Sequence, residues 1–158
     1  MLIGLTFLLW LCMAGAGDIV YRKCFNWLVI SGFISLIIFM IVNPDLNFLE
    51  LSKQKMLIGG VGTFIVFLIF YIFGMMGAGD VKFGAVLGLW VGWELLLPIW
   101  ALSCVFAVLH GMLVRSDLKY FFAPAMRWWD GSQEKGKRFI PYVTYLSMAT
   151  VIVLMLNK

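Results

Sequence analysis

Residues 56–79, MLIGGVGTFIVFLIFYIFGMMGAG, run for 24 positions without a charge, and Asp80 ends the run. A membrane helix needs about 20 apolar residues, within a range near 17–25, so this stretch is long enough to cross a bilayer. Working outward, charge-free runs recur at 1–17, 24–44, 83–93, 95–114 and 139–157. The composition agrees: 63% of the 158 residues are hydrophobic, 13% are charged, and the mean hydropathy is +1.01. Soluble domains are roughly 45–50% apolar and about 25% charged. A chain this small could not hide so much apolar surface from water. Lipid is its solvent, and the expected fold is an all-α polytopic membrane protein forming a single domain over 1–158.

The run 83–114 is broken only by Glu94. As one straight helix it would be about 48 Å long at 1.5 Å per residue, too long for a hydrocarbon core of about 30 Å. Two crossings with a tight turn near Gly92-Trp93-Glu94 fit better, the first short or tilted, and Glu94 then serves as a turn residue. Basic loops stay on the cytoplasmic side. Residues 115–138 carry Arg115, Lys119, Arg127, Lys135, Lys137 and Arg138, and loop 18–26 adds Arg22 and Lys23. Six spans with both termini outside put these two loops on one face. Lys53 and Lys55 then fall on the outer side, against the trend. The net charge of +4 follows from this topology rather than from nucleic-acid binding. The first run has no basic residue ahead of it, which argues against a cleaved signal peptide.

The long loop interleaves Tyr120, Phe121, Phe122, Trp128 and Trp129 with Lys119 and Arg127. Such rings sit at headgroup depth. They predict short surface segments broken at Pro124 that anchor the loop to the inner leaflet, with a docking ledge as the second option. Residues 131–136 read as a mobile stretch. Cys12, Cys24 and Cys104 lack the paired spacing of a metal or redox site and are expected to be packing residues. His110, the single histidine, lies in an apolar run and is expected to serve helix packing. Neither a metal nor another cofactor is implied.

Gly-Ala-Gly-Asp occurs twice, at 15–18 closing the first span and at 77–80 closing the third. Both of those spans run from outside to inside, so Asp18 and Asp80 should reach the same face. A carboxylate near lipid is costly and usually faces a cavity, a partner or water. Ordinary interfacial pairs, Asp18 with Arg22 and Asp80 with Lys82, are the plain alternative. The glycines at 15, 17, 77 and 79 would let helices approach closely or the chain unwind locally. Two neighbouring carboxylates cannot both ionise easily and so share a proton. One can then act as general base on a water while the other polarises a peptide carbonyl. This chemistry hydrolyses a peptide without metal or covalent intermediate.

Gly77-Ala78-Gly79-Asp80-Val81-Lys82 resembles the GxGDxK signature of type IV prepilin peptidases, the GxGD class of membrane aspartic proteases. Asp18 to Asn26 is similar to their first aspartate segment, commonly DxxxRxIPN, and Ile140-Pro141-Tyr142 is similar to their IPYG motif. The resemblance spans essentially the whole chain in the right order. It implies removal of the short basic leader from prepilins or pseudopilins at the cytoplasmic face of a bacterial inner membrane, with Asp18 and Asp80 as the catalytic pair. Gly77, Gly79, Lys82, Arg22 and Pro141 would support them, Lys82 and Arg22 by tuning the pair or by anchoring the inner face. Pro141 would start the last helix. With no cytoplasmic insertion between the first two spans, the chain resembles the short tight-adherence (Flp/Tad-like) branch, which implies no methyltransferase activity. Pilus assembly machinery is an implied partner beside the substrate and the bilayer. Phe25 stands where the family often has proline, and Val143 where it has glycine. Three other readings stay open: another GxGD protease acting on signal or transmembrane peptides, an ion- or proton-coupled transporter subunit, and a non-catalytic assembly subunit.

Overall fold

The computed structural model describes residues 2–21, 24–42, 52–115 and 142–157. Arg22, Pro141 and the loop residues 116–138 lie outside the described residues, as does most of loop 45–55. The described chain is helical: α1 Leu2–Tyr21, α2 Asn26–Val42, α3 Lys53–Ile72, α4 Ala78–Arg115 and α5 Tyr142–Leu156. In lipid, a helix satisfies its backbone within its own segment, so apolar runs of this length settle as helices. α1, α3 and α4 are long and apolar enough to cross a membrane, and α2 and α5 are shorter apolar helices. The chain is a polytopic membrane protein.

α4 is two helices joined at Gly92, whose φ of 70° and ψ of 174° leave helical space. That conformation is nearly closed to residues with a Cβ. The chain also reverses there. Before the break α4 packs antiparallel to α3, with Gly59 against Gly88 and Phe67 against Gly84. Continued straight, Trp100 would lie about 28 Å along the axis from Phe70, yet their ring centroids are 6.0 Å apart. The turn expected near residues 92–94 is therefore present, and the described residues form six helical segments. Glu94 is helical rather than part of a turn, and it accepts a 2.8 Å bond from Lys55 Nζ at the bundle end away from Asp80.

α3 ends earlier than its apolar run. Gly74, at φ 71°, takes the left-handed conformation that stops helices. Its N–H bonds Tyr71 O at 2.9 Å, and Met75 N–H bonds Phe70 O at 2.9 Å. Residues 77–80 therefore do not close the third span, as the run length suggested. They open α4.

Inside the bundle, α1 buries Phe7, Trp10, Leu11 and Ala14 along one face, and the same face continues to Asp18. Leu5, Leu8, Leu9, Met13 and Val20 on its other faces are exposed, as lipid-facing residues are. Apolar surface gains nothing by leaving lipid for a neighbouring helix, so packing and hydrogen bonds must hold the segments together. Aromatic rings do much of this at the centre. Phe7 stacks on Trp90 at 4.7 Å, and Trp10 on Phe83 at 4.9 Å. A buried indole N–H needs an acceptor, and two carbonyls one turn apart on α2 supply them. Trp10 Nε1 donates to Leu28 O at 2.8 Å and Trp90 Nε1 to Gly32 O at 3.1 Å.

Candidate active site

Asp18 lies in the last turn of α1, on the face that packs inward, and is 6% exposed. Gly15 and Gly17 stay helical, so this end of α1 is not unwound as the glycines allowed. The first four N–H groups of a helix have no partner within it. In α5 one of them belongs to Thr144, and it donates to Asp18 Oδ2 at 3.1 Å. The Thr144 hydroxyl lies 3.4 Å from the same oxygen and 3.2 Å from Gly15 O. Asp18 thus serves as the N-terminal cap of a helix that starts more than 120 residues later in the chain. Val143 is buried, and its bulk does not keep α5 away, since the Thr144 Cα would lie 3.9 Å from a Cβ at Gly15.

Asp80 is fixed locally. Gly77 precedes the first helical residue of α4, and its N–H donates to Asp80 Oδ2 at 3.0 Å. This is the return half of a capping box, and it gives the Gly-x-Gly-Asp spacing a physical reason. The carboxylate reaches back one turn to the residue that starts its own helix, at the end where the helix dipole favours negative charge. Lys82 does not pair with Asp80. Its Nζ goes to Asn26 Oδ1 at 3.1 Å, joining the start of α4 to the start of α2. Phe25 accepts the N–H groups of Leu28 and Val29 at 3.1 and 3.3 Å, so it fills the helix-starting position of the expected proline.

Cys24 sits between the two aspartate segments. A Cβ on Gly79 would fall 2.8 Å from the Cys24 Cβ, closer than such atoms approach, so only glycine admits this contact. Burial pushes the Cys24 thiol up to about 12; the negative charges of Asp80 and Asp18 act in the same sense, and Lys82 opposes them. Both carboxylates are therefore within electrostatic reach of one side chain. A thiol so shifted is protonated at neutral pH and is a poor nucleophile.

Of the residues singled out in the sequence, Asp18, Asp80, Gly77, Gly79 and Lys82 gather at this end of the bundle. Arg22 and Pro141 lie outside the described residues. Two neighbours were missed. Cys24 does pack, as expected, but against Gly79, and no local pattern set it beside the aspartates. Thr144 did leave a signal: Thr144, Ser147 and Thr150 recur every third position in an otherwise apolar span, and all three are buried. Tyr142 also belongs here, its hydroxyl 3.2 Å from Ser103 Oγ and its ring edge-on to Phe67.

Comparison with curated proteins and with solved structures returned no match. The model of the type IV leader peptidase family matches residues 5–112, a stretch that includes both Gly-Ala-Gly-Asp copies and ends before α5. It covers more than half of the chain, and the protein belongs to the type IV leader peptidase family.

Proposed function

We propose that the protein is a membrane aspartic endopeptidase that removes the short leader from type IV prepilins or pseudopilins of the tight-adherence (Flp/Tad-like) kind. Asp18 and Asp80 are its catalytic pair, the site opens at the cytoplasmic face of the inner membrane, and no methyl transfer accompanies cleavage. The observation that carries this reading is the packing at this end of the bundle: Asp18 is held by Thr144 at 3.1 Å, and Gly79, next to Asp80, packs on Cys24 of the segment that follows Asp18. Family membership supplies the reaction class.

One carboxylate takes a proton from a water, whose oxygen bonds to the scissile carbonyl carbon. The other carboxyl group gives its proton to the carbonyl oxygen, so no free oxyanion develops. The tetrahedral centre then collapses: one hydroxyl gives its proton to the ionised carboxylate and becomes the new carbonyl, the C–N bond breaks, and the leaving nitrogen takes the proton held by the other carboxyl group. The exposed bond of Lys82 to Asn26 ties the two aspartate-bearing segments together on the water side.

The test is leader removal from a tagged type IV prepilin co-expressed with wild type, Asp18→Asn or Asp80→Asn at equal membrane levels. Cleavage by wild type and by neither variant supports the pair. Full activity in either variant rules it out. Methylation of the processed amino terminus would rule out the restriction to cleavage.

A further inference from the structure

The catalytic reading leaves α5 without a task, since it carries neither aspartate and lies beyond the stretch matched by the family. Its first turn nevertheless contacts Asp18 directly. Thr144 is 4% exposed and presents two donors to one oxygen, its N–H at 3.1 Å and its hydroxyl at 3.4 Å from Asp18 Oδ2. The hydroxyl has one proton, shared between Asp18 Oδ2 and Gly15 O at 3.2 Å. The hydroxyl thus spans the last turn of α1, touching the carbonyl at 15 and the carboxylate at 18. An aspartate side chain turns about two bonds, and one hydrogen bond leaves a swing about that contact. Two donors from one rigid helix end remove most of it.

Resting on the assignment of Asp18 and Asp80 as the catalytic pair, we propose that Thr144 is the positioning residue of Asp18. Its hydroxyl fixes the angle at which that carboxylate meets water and substrate. The backbone N–H holds Asp18 to α5, and the hydroxyl sets its orientation. Losing the hydroxyl alone should leave the bundle assembled but the carboxylate misdirected. Misplacing a catalytic group by about 1 Å can cost about a hundredfold in rate. Val143 and Ser147, the buried neighbours on α5, cannot substitute. Val143 has no donor, and Ser147 Oγ donates to Val143 O at 2.8 Å.

Full-length Thr144→Val, Thr144→Ala and Thr144→Ser proteins would be purified in detergent and assayed on a tagged type IV prepilin, with kcat and KM determined separately. Thermal unfolding would be followed in parallel, and Asp18→Asn would be the reference. Thr144→Val keeps the shape and the backbone donor. It should lower kcat at least tenfold, change KM less than twofold and leave the unfolding midpoint within a few degrees of wild type. Thr144→Ala should behave likewise, and it replaces Thr144→Val if that variant fails to accumulate. Thr144→Ser should return kcat to within threefold. Wild-type kcat in the Val and Ala variants, with Asp18→Asn inactive, would overturn the role of Thr144 and leave the catalytic pair standing. A fall in kcat that tracks loss of thermal stability and is not restored by serine would reduce Thr144 to a structural role. Activity in Asp18→Asn would remove the catalytic pair and this proposal together.

Discussion

The two Gly-Ala-Gly-Asp copies are identical in sequence and opposite in setting. The copy at 15–18 is the helical end of α1, and its aspartate is bound by another helix at 3.1 Å. The copy at 77–80 is the start of α4, and its aspartate is bound by a backbone N–H three residues back at 3.0 Å. One carboxylate depends on tertiary assembly and the other on local chain geometry. What they share is that each satisfies an orphan N–H at a helix N-terminus, of α5 in one case and of α4 in the other. Four identical residues thus deliver two carboxylates to one place by different routes.

The largest effect that could break this comparison is on catalysis. Asp18→Asn and Asp80→Asn should each lower prepilin cleavage by about 10²–10⁴-fold or more, the range of general acid–base catalysis, despite their different supports. Near-wild-type cleavage by either variant in a quantitative gel assay would mean that its carboxylate is dispensable.

The glycines distinguish the copies next. Gly79→Ala forces a methyl against the Cys24 Cβ, whereas a Cβ at Gly15 meets Ser147 at an ordinary 3.8 Å. Gly79→Ala should therefore lose about tenfold or more in rate by displacing Asp80, and Gly15→Ala less than threefold. Adding Cys24→Gly to Gly79→Ala should restore part of the loss. No recovery in that double variant would show that the contact with Cys24 is not what the glycine protects.

Stability should show the asymmetry in reverse order of locality. Asp18→Ala strands a buried N–H and should cost about 1–3 kcal/mol. Asp80→Ala removes a local cap and should cost about 0.3–1.5 kcal/mol. Equal shifts in thermal unfolding would argue that Asp18 does not hold α5. At the small end, Lys82→Gln should slow cleavage less than about fivefold, as expected for one exposed hydrogen bond. Lys55→Ala, at the far end of the bundle, should cost below about 1 kcal/mol and leave cleavage rates unchanged.

Much of this was legible in the residues themselves. Long charge-free runs are an unambiguous signal because lipid admits few other structures, and the glycine at 92 beside Glu94 marked the reversal within a run too long for one crossing. The repeated tetrapeptide singled out both carboxylates as candidates. Boundaries were harder. The run 56–79 stays apolar through the end of α3 because Gly74, Met75 and Met76 carry no charge, so hydropathy could not see the left-handed glycine that stops the helix. Contacts between segments were harder still. Cys24 meets Gly79, and Thr144 meets Asp18, only once the helices have packed, and nothing in their immediate neighbours announces it. Lys82 looked like a partner for Asp80 because the two are close in sequence. The helix turns that side chain out to Asn26 instead.

The reversal at Gly92 also bears on the lipid around the protein. Residues 78–91 rise only about 21 Å as a helix, some 9 Å less than a hydrocarbon core of about 30 Å. The deficit has to be taken up by thinning of the surrounding bilayer or by water reaching down to Asp80. Hydrophobic mismatch thereby becomes a property of the enzyme: acyl-chain length sets how deep the carboxylate at the head of α4 lies below the headgroups. Bilayers of longer-chain lipids should bury it further from bulk water.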